Sequence, residues 1–244
     1  MRRLEIVRPH GRARLERVPS GWSLDLVEVH DAEAAVELLE AARDEVAGLG
    51  GGVLRLWARD GDPLAAAAGD RLGFRLERDL HQLRRPLPAD PPGDLAVRPF
   101  VVDQDEDAWL AVNNRAFHWH PEQGGWTRED LEQRLAEEWF DPSGFLLHEV
   151  DGRLVGFCWT KAHRDTRPTL GEIYVIAVDP AAGVRGLGAP LTLAGLDHLH
   201  RVDGMEVGML YVDGTNEPGL RLYDRLGFTV HHTDTSRTQT VRPS

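Results

Sequence analysis

Cysteine is almost missing from this 244-residue chain, in which Cys158 stands alone. A single thiol cannot build a framework of internal disulfides. It lies in an apolar run, so a buried and inert thiol is expected. Long apolar runs are missing too. No stretch approaches the ~18 consecutive apolar residues of a membrane-spanning helix, so no membrane partner is expected. The opening residues, MRRLEIVRPHG, hold arginine but no apolar core, so no signal peptide is read there and a cytoplasmic protein is expected. A basic surplus is absent: 28 Lys and Arg face 40 Asp and Glu, a formal net charge of -12. Without excess cations to neutralise phosphates, the balance argues against a non-specific nucleic-acid binder, and no nucleic-acid partner is expected. The histidine pairs His118/His120 and His198/His200 lack a third ligand at metal spacing, so no metal is expected.

What is present is a sizeable apolar content, 41% of the chain, enough for one large or two modest domains. The chain is organised around Gly171 to Leu191, GEIYVIAVDPAAGVRGLGAPL. Ile173 to Val178 reads as a buried strand, and Asp179-Pro180 ends it. A loop of small residues then carries Arg185-Gly186-Leu187-Gly188, and a helical pattern follows to about His200. A strand feeding a glycine-rich turn into a helix N-terminus is an anion-binding device. The first helical N–H groups lack partners, and glycine lets a pyrophosphate approach the backbone. No Lys-Ser/Thr follows the glycines, which excludes a P-loop nucleotidase.

Ahead of this stretch, Leu4–Val7, Arg12–Val18 and Trp22–Val29 read as short strands. Asp31 caps a helix to Val46 whose apolar stripe is Ala35, Leu38, Leu39, Ala42 and Val46. Strand Val53–Ala58, helix Pro63–Arg71 and strand Phe74–Arg84 follow. Residues 86–94, in a segment with four prolines in RPLPADPPGD, read as a stiff linker. That divides the chain into domains 1–85 and 95–244. The second begins with strand Leu95–Phe100 and helix Asp105–Phe117, with Ala108, Val112 and Phe117 on one side. A capping box at Thr127/Asp130 opens a helix to about Trp139. Strands Phe145–Val150 and Leu154–His163 flank the hairpin turn Asp151-Gly152. After the organising helix come strand Met205–Val212, helix Pro218–Leu226, strand Gly227–Thr233 and one further short strand.

The two halves repeat. Asp70-Arg71-Leu72-Gly73-Phe74 matches Asp224-Arg225-Leu226-Gly227-Phe228, an offset of 154 residues, and the preceding elements keep that offset. Under it, Asp31, Ala32 and Ala34 stand where the second half has Arg185, Gly186 and Gly188. A carboxylate would repel a phosphate. The first half also has only residues 1–30 ahead of its first helix. The second half is therefore expected to carry the chemistry, and the first to be a degenerate copy.

Val178-Asp179-Pro180, then Gly183-Val184-Arg185-Gly186-Leu187-Gly188, then Asn216, Tyr223 and Leu226-Gly227-Phe228 resemble the motifs of the GCN5-related N-acetyltransferase (GNAT) superfamily. The tandem arrangement, Asn113 to Phe117 running into His120 to Gly124, Trp159-Thr160-Lys161 and Gly171 to Val175 resemble more narrowly its mycothiol synthase family. The resemblance implies a mixed α/β (α+β) fold of tandem GNAT acyl-CoA N-acyltransferase domains. Each would be a mixed, mostly antiparallel sheet flanked by helices, the first truncated. It implies acetyl transfer from acetyl-CoA to the cysteinyl amine of an aminothiol pseudodisaccharide, cysteinyl-glucosaminyl-inositol, by a monomer. Rival readings are a GNAT enzyme for another amine or a protein N-terminus, and a non-catalytic CoA-binding protein.

Glu172 is either a solvated edge residue or the general base. Tyr223 is either an amphipathic core residue or the acid that protonates the leaving thiolate. Ile176, Ala177 and Val178 should splay from the next strand and pair with pantetheine, with the Val178 N–H as oxyanion donor. Gly183, Val184, Arg185, Gly186, Leu187, Gly188 and Ala189 should hold the pyrophosphate. The resemblance adds Asn216, Glu217, Pro218, Gly219, Leu220 and Arg221 to the cofactor site, Asn216 for the pantetheine amide or simply as a helix cap. Glu122, Lys161, Tyr211 and Glu172 are candidates for the substrate, with Trp119 and Trp126 as a stacking wall or as packing. Two positions depart from the family pattern. Gly183 replaces Gln or Arg, and Pro190 is expected in the second turn of its helix, where a backbone bond is lost.

Overall fold

The computed structural model describes residues 3–18, 20–89, 95–119 and 123–244. In chain order its elements are β1 (Arg3–Arg8), β2 (Gly11–Val18), β3 (Gly21–Val29), α1 (Ala32–Gly48), β4 (Gly52–Ala58), α2 (Pro63–Arg71) and β5 (Arg75–Pro86). Then follow β6 (Arg98–Pro99), α3 (Glu106–Ala116), α4 (Arg128–Leu135), β7 (Phe145–Val150), β8 (Arg153–His163) and β9 (Leu170–Val178). The chain closes with α5 (Gly188–Arg201), β10 (Val207–Asp213), α6 (Glu217–Arg225) and β11 (Thr229–Val241).

Packing forms two compact units. One takes Met1–Gln82, Val212–Glu217 and Val230–Ser244, the other Leu83–Tyr211 and Pro218–Thr229. This grouping differs from the expected division into 1–85 and 95–244, because Thr235 to Val241 of β11 pair antiparallel with β4. A strand joins the unit that supplies its hydrogen-bonding edge, wherever it falls in sequence. The proline-rich segment starts differently as well. Pro86 still belongs to β5, and the Leu87 N–H donates to the Glu206 carbonyl at 2.9 Å. Residues 90–94 of the expected linker lie outside the described residues.

In the first unit β1, β2 and β3 form an antiparallel meander, β3 runs parallel to β4, and β4 pairs with β11. The expected stripe of α1 is what the helix buries: Ala35, Leu38, Leu39, Ala42 and Val46 are all inaccessible, packed with Leu15, Leu24, Leu54 and Leu56. In the second unit β6, β7, β8 and β9 are antiparallel in succession, and β9 runs parallel to β10. Both units thus combine an antiparallel run with one parallel pair and helices. The Asp151-Gly152 turn has both φ values positive, 51° and 72°, as a two-residue hairpin loop requires.

The second core is aromatic. Trp109 of α3 is fully buried and meets Phe157, Phe145, Trp126 and Trp159 edge-on at centroid distances of 5.3 to 5.8 Å. Of the expected face of α3, Val112 is buried and Phe117 packs against this core, but Ala108 is exposed, and Trp109 and Asn113 turn inward in its place. Helix α4 stops at Leu135, short of Trp139, because Trp139 and Phe140 leave the helix to join the cluster. Trp139 packs on Tyr174 and Phe140 on Trp159. The expected strand at Leu95–Phe100 shrinks to Arg98–Pro99, and the two short strands expected at the C-terminal end are one, β11.

Candidate active site

Strands β9 and β10 pair only at Leu170–Val207, Gly171–Gly208 and Glu172–Met209. β9 then continues six residues to Val178 with no further rung to β10. A parallel pair that stops early leaves the β9 edge facing an opening, with its backbone N–H and C=O groups available to an added extended chain. A register shift against β8, between Trp159 and Thr160, skips Tyr174. Such a bulge re-aims the strand beyond it. The Asp179 N–H donates to the Val155 carbonyl on the β8 side at 2.8 Å. N–H direction alternates along a strand, so the Val178 and Ile176 N–H groups point away from β8, toward the open edge.

Beyond β9 the chain is pinned by Asp179. Its buried carboxylate accepts two hydrogen bonds from Arg115 of α3, at 3.0 and 2.8 Å, and one from the Ala181 N–H at 2.9 Å. The guanidinium holds the Asp179 carboxyl below the usual carboxylate range. A single 3-10 turn, Pro180–Ala182, ends on Gly183 at φ 68°, and Gly186 follows at φ 83°. Both glycines suit these left-handed conformations by their backbone freedom and not for want of room, since a Cβ at either would face open space. Gly188 has another reason: a Cβ there would come within 3.1 Å of Leu222 of α6.

Helix α5 starts at Gly188, without a side-chain cap. Among the described residues, the N–H groups of Val184, Arg185, Gly186, Leu187, Gly188 and Ala189 have no acceptor, and the first intrahelical bond is Leu191 to Leu187 at 3.0 Å. Pro190 is therefore in the first turn, not the second as expected. No backbone bond is lost there, since that N–H would be unpaired in any residue. In the first unit the equivalent helix end is closed by the protein itself: Asp31 accepts from the Ala34 N–H at 2.8 Å. One of these two helix ends is thus capped by its own chain and the other is uncapped, with the partial positive charge of a helix N-terminus.

Glu172 stands on the last rung, nearly buried. Its Oε2 lies 2.8 Å from His163 Nε2. Lys161 is its direct partner on β8, yet the Lys161 ammonium sits over the Trp139 ring, 4.4 Å from the centroid, with Tyr174 at 5.9 Å. Tyr211 lies two residues past the last rung of β10 and is 39% exposed. Tyr223 of α6 is buried against Phe228, and burial, with a smaller effect of Cys158, pushes its phenol up to about 12. Cys158 is inaccessible, with its thiol pushed up by burial to about 12, as an inert thiol should be.

The second unit contains Glu172, Lys161, Tyr211, Tyr223, Ile176 to Val178 and the loop from Gly183 to Ala189. Pro218, Gly219, Leu220 and Arg221 lie in α6 of the same unit, whereas Asn216 and Glu217 group with the first. There the Asn216 N–H donates to the Asp213 carbonyl at 2.9 Å. Glu122 lies outside the described residues, with His120 and Pro121. The loop just beyond them is held to α3: Asn113 donates to the Gln123 carbonyl at 2.9 Å and Asn114 to the Trp126 carbonyl at 2.8 Å. Trp126 packs on Trp109, while Trp119 is exposed. Sequence reasoning missed Arg115, His163 and Trp139. The only trace of His163 was its place two residues from Lys161 on one strand, which puts both on one face.

The sequence profile of the Acetyltransferase (GNAT) family matches residues 112–228. The mycothiol acetyltransferase of Acidimicrobium ferrooxidans is 52% identical over 206 residues, 81% of this chain and 66% of that protein. That of Streptomyces avermitilis is 46% identical over 223 residues, 86% of this chain and 71% of that protein. The chain thus spans about two thirds of the length of such relatives. Among solved structures, a GCN5-related N-acetyltransferase from Sphaerobacter thermophilus superposes with a TM-score of 0.73 at 22% identity, covering 96% of this chain and 78% of that one. A tandem GNAT protein from the clavulanic acid biosynthesis pathway gives 0.64 at 17% identity, covering 96% and 80%. These two share the fold. The chain belongs to the mycothiol acetyltransferase family, within the GNAT acetyltransferases.

Proposed function

We propose that the second unit transfers the acetyl group of acetyl-CoA to the cysteinyl amine of cysteinyl-glucosaminyl-inositol, yielding mycothiol. The observation that carries this reading is the opening between β9 and β10, which begins at Glu172 and runs toward six unpartnered N–H groups. An extended arm ending in a pyrophosphate matches both parts of that surface. The loop N–H groups and Arg185 would hold the pyrophosphate. Bound acetyl-CoA supplies an activated acyl group. The edge N–H of Ile176 would take a pantetheine carbonyl, and the motif resemblance adds Asn216 for a pantetheine amide.

The remaining steps belong to the side chains. Glu172 takes the proton that the substrate ammonium must lose before it attacks, directly or through a water. The Val178 N–H holds the negative charge that develops on the acyl oxygen. Tyr223, protonated at neutral pH, returns a proton to the departing sulfur. Lys161, Tyr211 and Glu122 would hold the hydroxyl-rich sugar and inositol rings. Alignment of both substrates along one opening supplies much of the rate.

The tandem reading is part of the same proposal. Displaced by the 154-residue offset, α2 (Pro63–Arg71) coincides with α6 (Glu217–Arg225), and β5 starts where β11 starts. This supports a duplicated domain whose first copy lost its anion cradle to Asp31. Release of thiol from acetyl-CoA, with and without the cysteinyl pseudodisaccharide, tests the activity. Release stimulated by that amine and not by simple amines or N-terminal peptides is the expected result. Equal release with all of them points to another GNAT specificity, and none at all to a non-catalytic CoA binder.

A further inference from the structure

We infer that His163 is a positioning residue that aims the Glu172 carboxylate, an inference that rests on Glu172 being the base proposed above. Glu172 has three rotatable side-chain bonds and two equivalent oxygens, so a base that must meet an amine at one point needs one oxygen fixed. His163 Nε2 lies 2.8 Å from Oε2. An ionised carboxylate only accepts, so the imidazole donates from Nε2. Oε1 is left without a partner among the described residues. The other candidate to hold Glu172 is elsewhere: Lys161 opposes it across the strands, but its ammonium is drawn onto the Trp139 ring.

The placement favours aim over simple packing. His163 closes β8, and Glu172 is the last residue that β9 shares with β10. The hydrogen bond thus braces the carboxylate where the backbone ladder ceases to do so. The His163 side chain is one quarter exposed and Glu172 about one tenth, so the bond is largely screened from competing water. With Oε2 tied back to β8, Oε1 is the oxygen available to an amine entering the opening. No covalent step involves the imidazole, which holds the acceptor still while Glu172 takes the proton.

Steady-state kinetics with acetyl-CoA and the cysteinyl pseudodisaccharide test this. His163→Ala should lower kcat by up to ~100-fold, the loss that a misplacement of ~1 Å can bring. KM for both substrates should stay within about twofold, because neither is bound by His163. His163→Gln, which keeps a side-chain N–H donor, should recover most of the rate. His163→Phe, which keeps the ring volume without the donor, should behave like the alanine variant and replaces it if that protein does not fold. In a Glu172→Gln background the alanine or phenylalanine change should add no further loss. Unchanged kcat in the single variants, or a full additional loss in the Glu172→Gln background, overturns the positioning role. Wild-type turnover by Glu172→Gln alone instead removes the base assignment on which it rests.

Discussion

The guanidinium of Arg115 grips both carboxylate oxygens of Asp179, joining α3 to the point where β9 ends and the glycine loop begins. The Asp179 side chain is fully inaccessible while Arg115 is 42% exposed. Removing the charge leaves a buried amide that cannot accept the same pair of bonds. Asp179→Asn should cost about 2 kcal/mol, the size of a charged hydrogen bond, since the half-exposed Arg115 keeps this short of a wholly buried ion pair. The urea midpoint reads the loss. The pH sign follows from the depressed carboxyl. Its contribution is full above the unfolded value of ~3.9 and drains as pH falls through the lower folded value. Below about pH 4 the wild type should therefore lose stability faster than Asp179→Asn.

The two left-handed glycines should respond differently to substitution. Gly186→Glu puts a carboxylate beside the loop N–H groups and strains a φ of 83°. Calorimetry should show acetyl-CoA affinity weakened at least ~10-fold, equivalent to about 1.4 kcal/mol. Gly183→Gln restores the side chain usual in the family but places it at φ 68°. The strain, about 1 kcal/mol, should lower the melting temperature by ~2–4 °C.

Tyr223, proposed as the proton donor, should hold its proton across the working range. Burial raises the phenol to about 12, so its proton is held as pH rises past the ordinary range. The wild-type pH–rate profile should show no alkaline fall from this group below about pH 11, since a group keeps its proton below its own pKa. Tyr223→Phe should lower kcat by about 100-fold, the lower end for general acid–base catalysis, with acetyl-CoA binding retained. A profile and a rate unchanged by the substitution would remove Tyr223 from the acid role.

Cys158 should take no part in acyl transfer. Its thiol is inaccessible and pushed up by burial to about 12, and a Cβ on Gly195 of α5 would come within 2.5 Å of the sulfur. A disulfide reagent should leave the native protein unlabelled and react on unfolding. Cys158→Ala should keep kcat within about twofold. Labelling that abolishes turnover would speak for an acyl-enzyme.

Much of this was legible locally. The Asp151-Gly152 turn, the Asp31 cap, the α1 stripe and the bounds of α2 all follow from period, capping and turn chemistry acting within a few residues. The glycine loop announced itself because φ values of 68° and 83° exclude most other residues. The end of α4 was not legible. Trp139 fits a helical pattern, and only the rings of Trp159 and Tyr174, distant in sequence, draw it out. On α3, Val112 and Phe117 face the core as expected, but Trp109 was missed and Ala108 misplaced for the same reason, since an aromatic cluster claims Trp109 rather than the helix's own periodicity.

By itself, the sequence determined the bounds of α2, the cap and apolar stripe of α1, and a glycine loop in one half with no counterpart at the 154-residue offset in the other. Those properties are written in neighbouring residues, through dihedral limits and side-chain spacing. The tertiary structure alone decided that β11 pairs with β4, that β9 parts from β10 at Glu172, and that His163 and Arg115 brace Glu172 and Asp179. Pairing and hydrogen bonding between distant segments depend on which edges and partners the packed chain brings within 3 Å, and no local pattern specifies that.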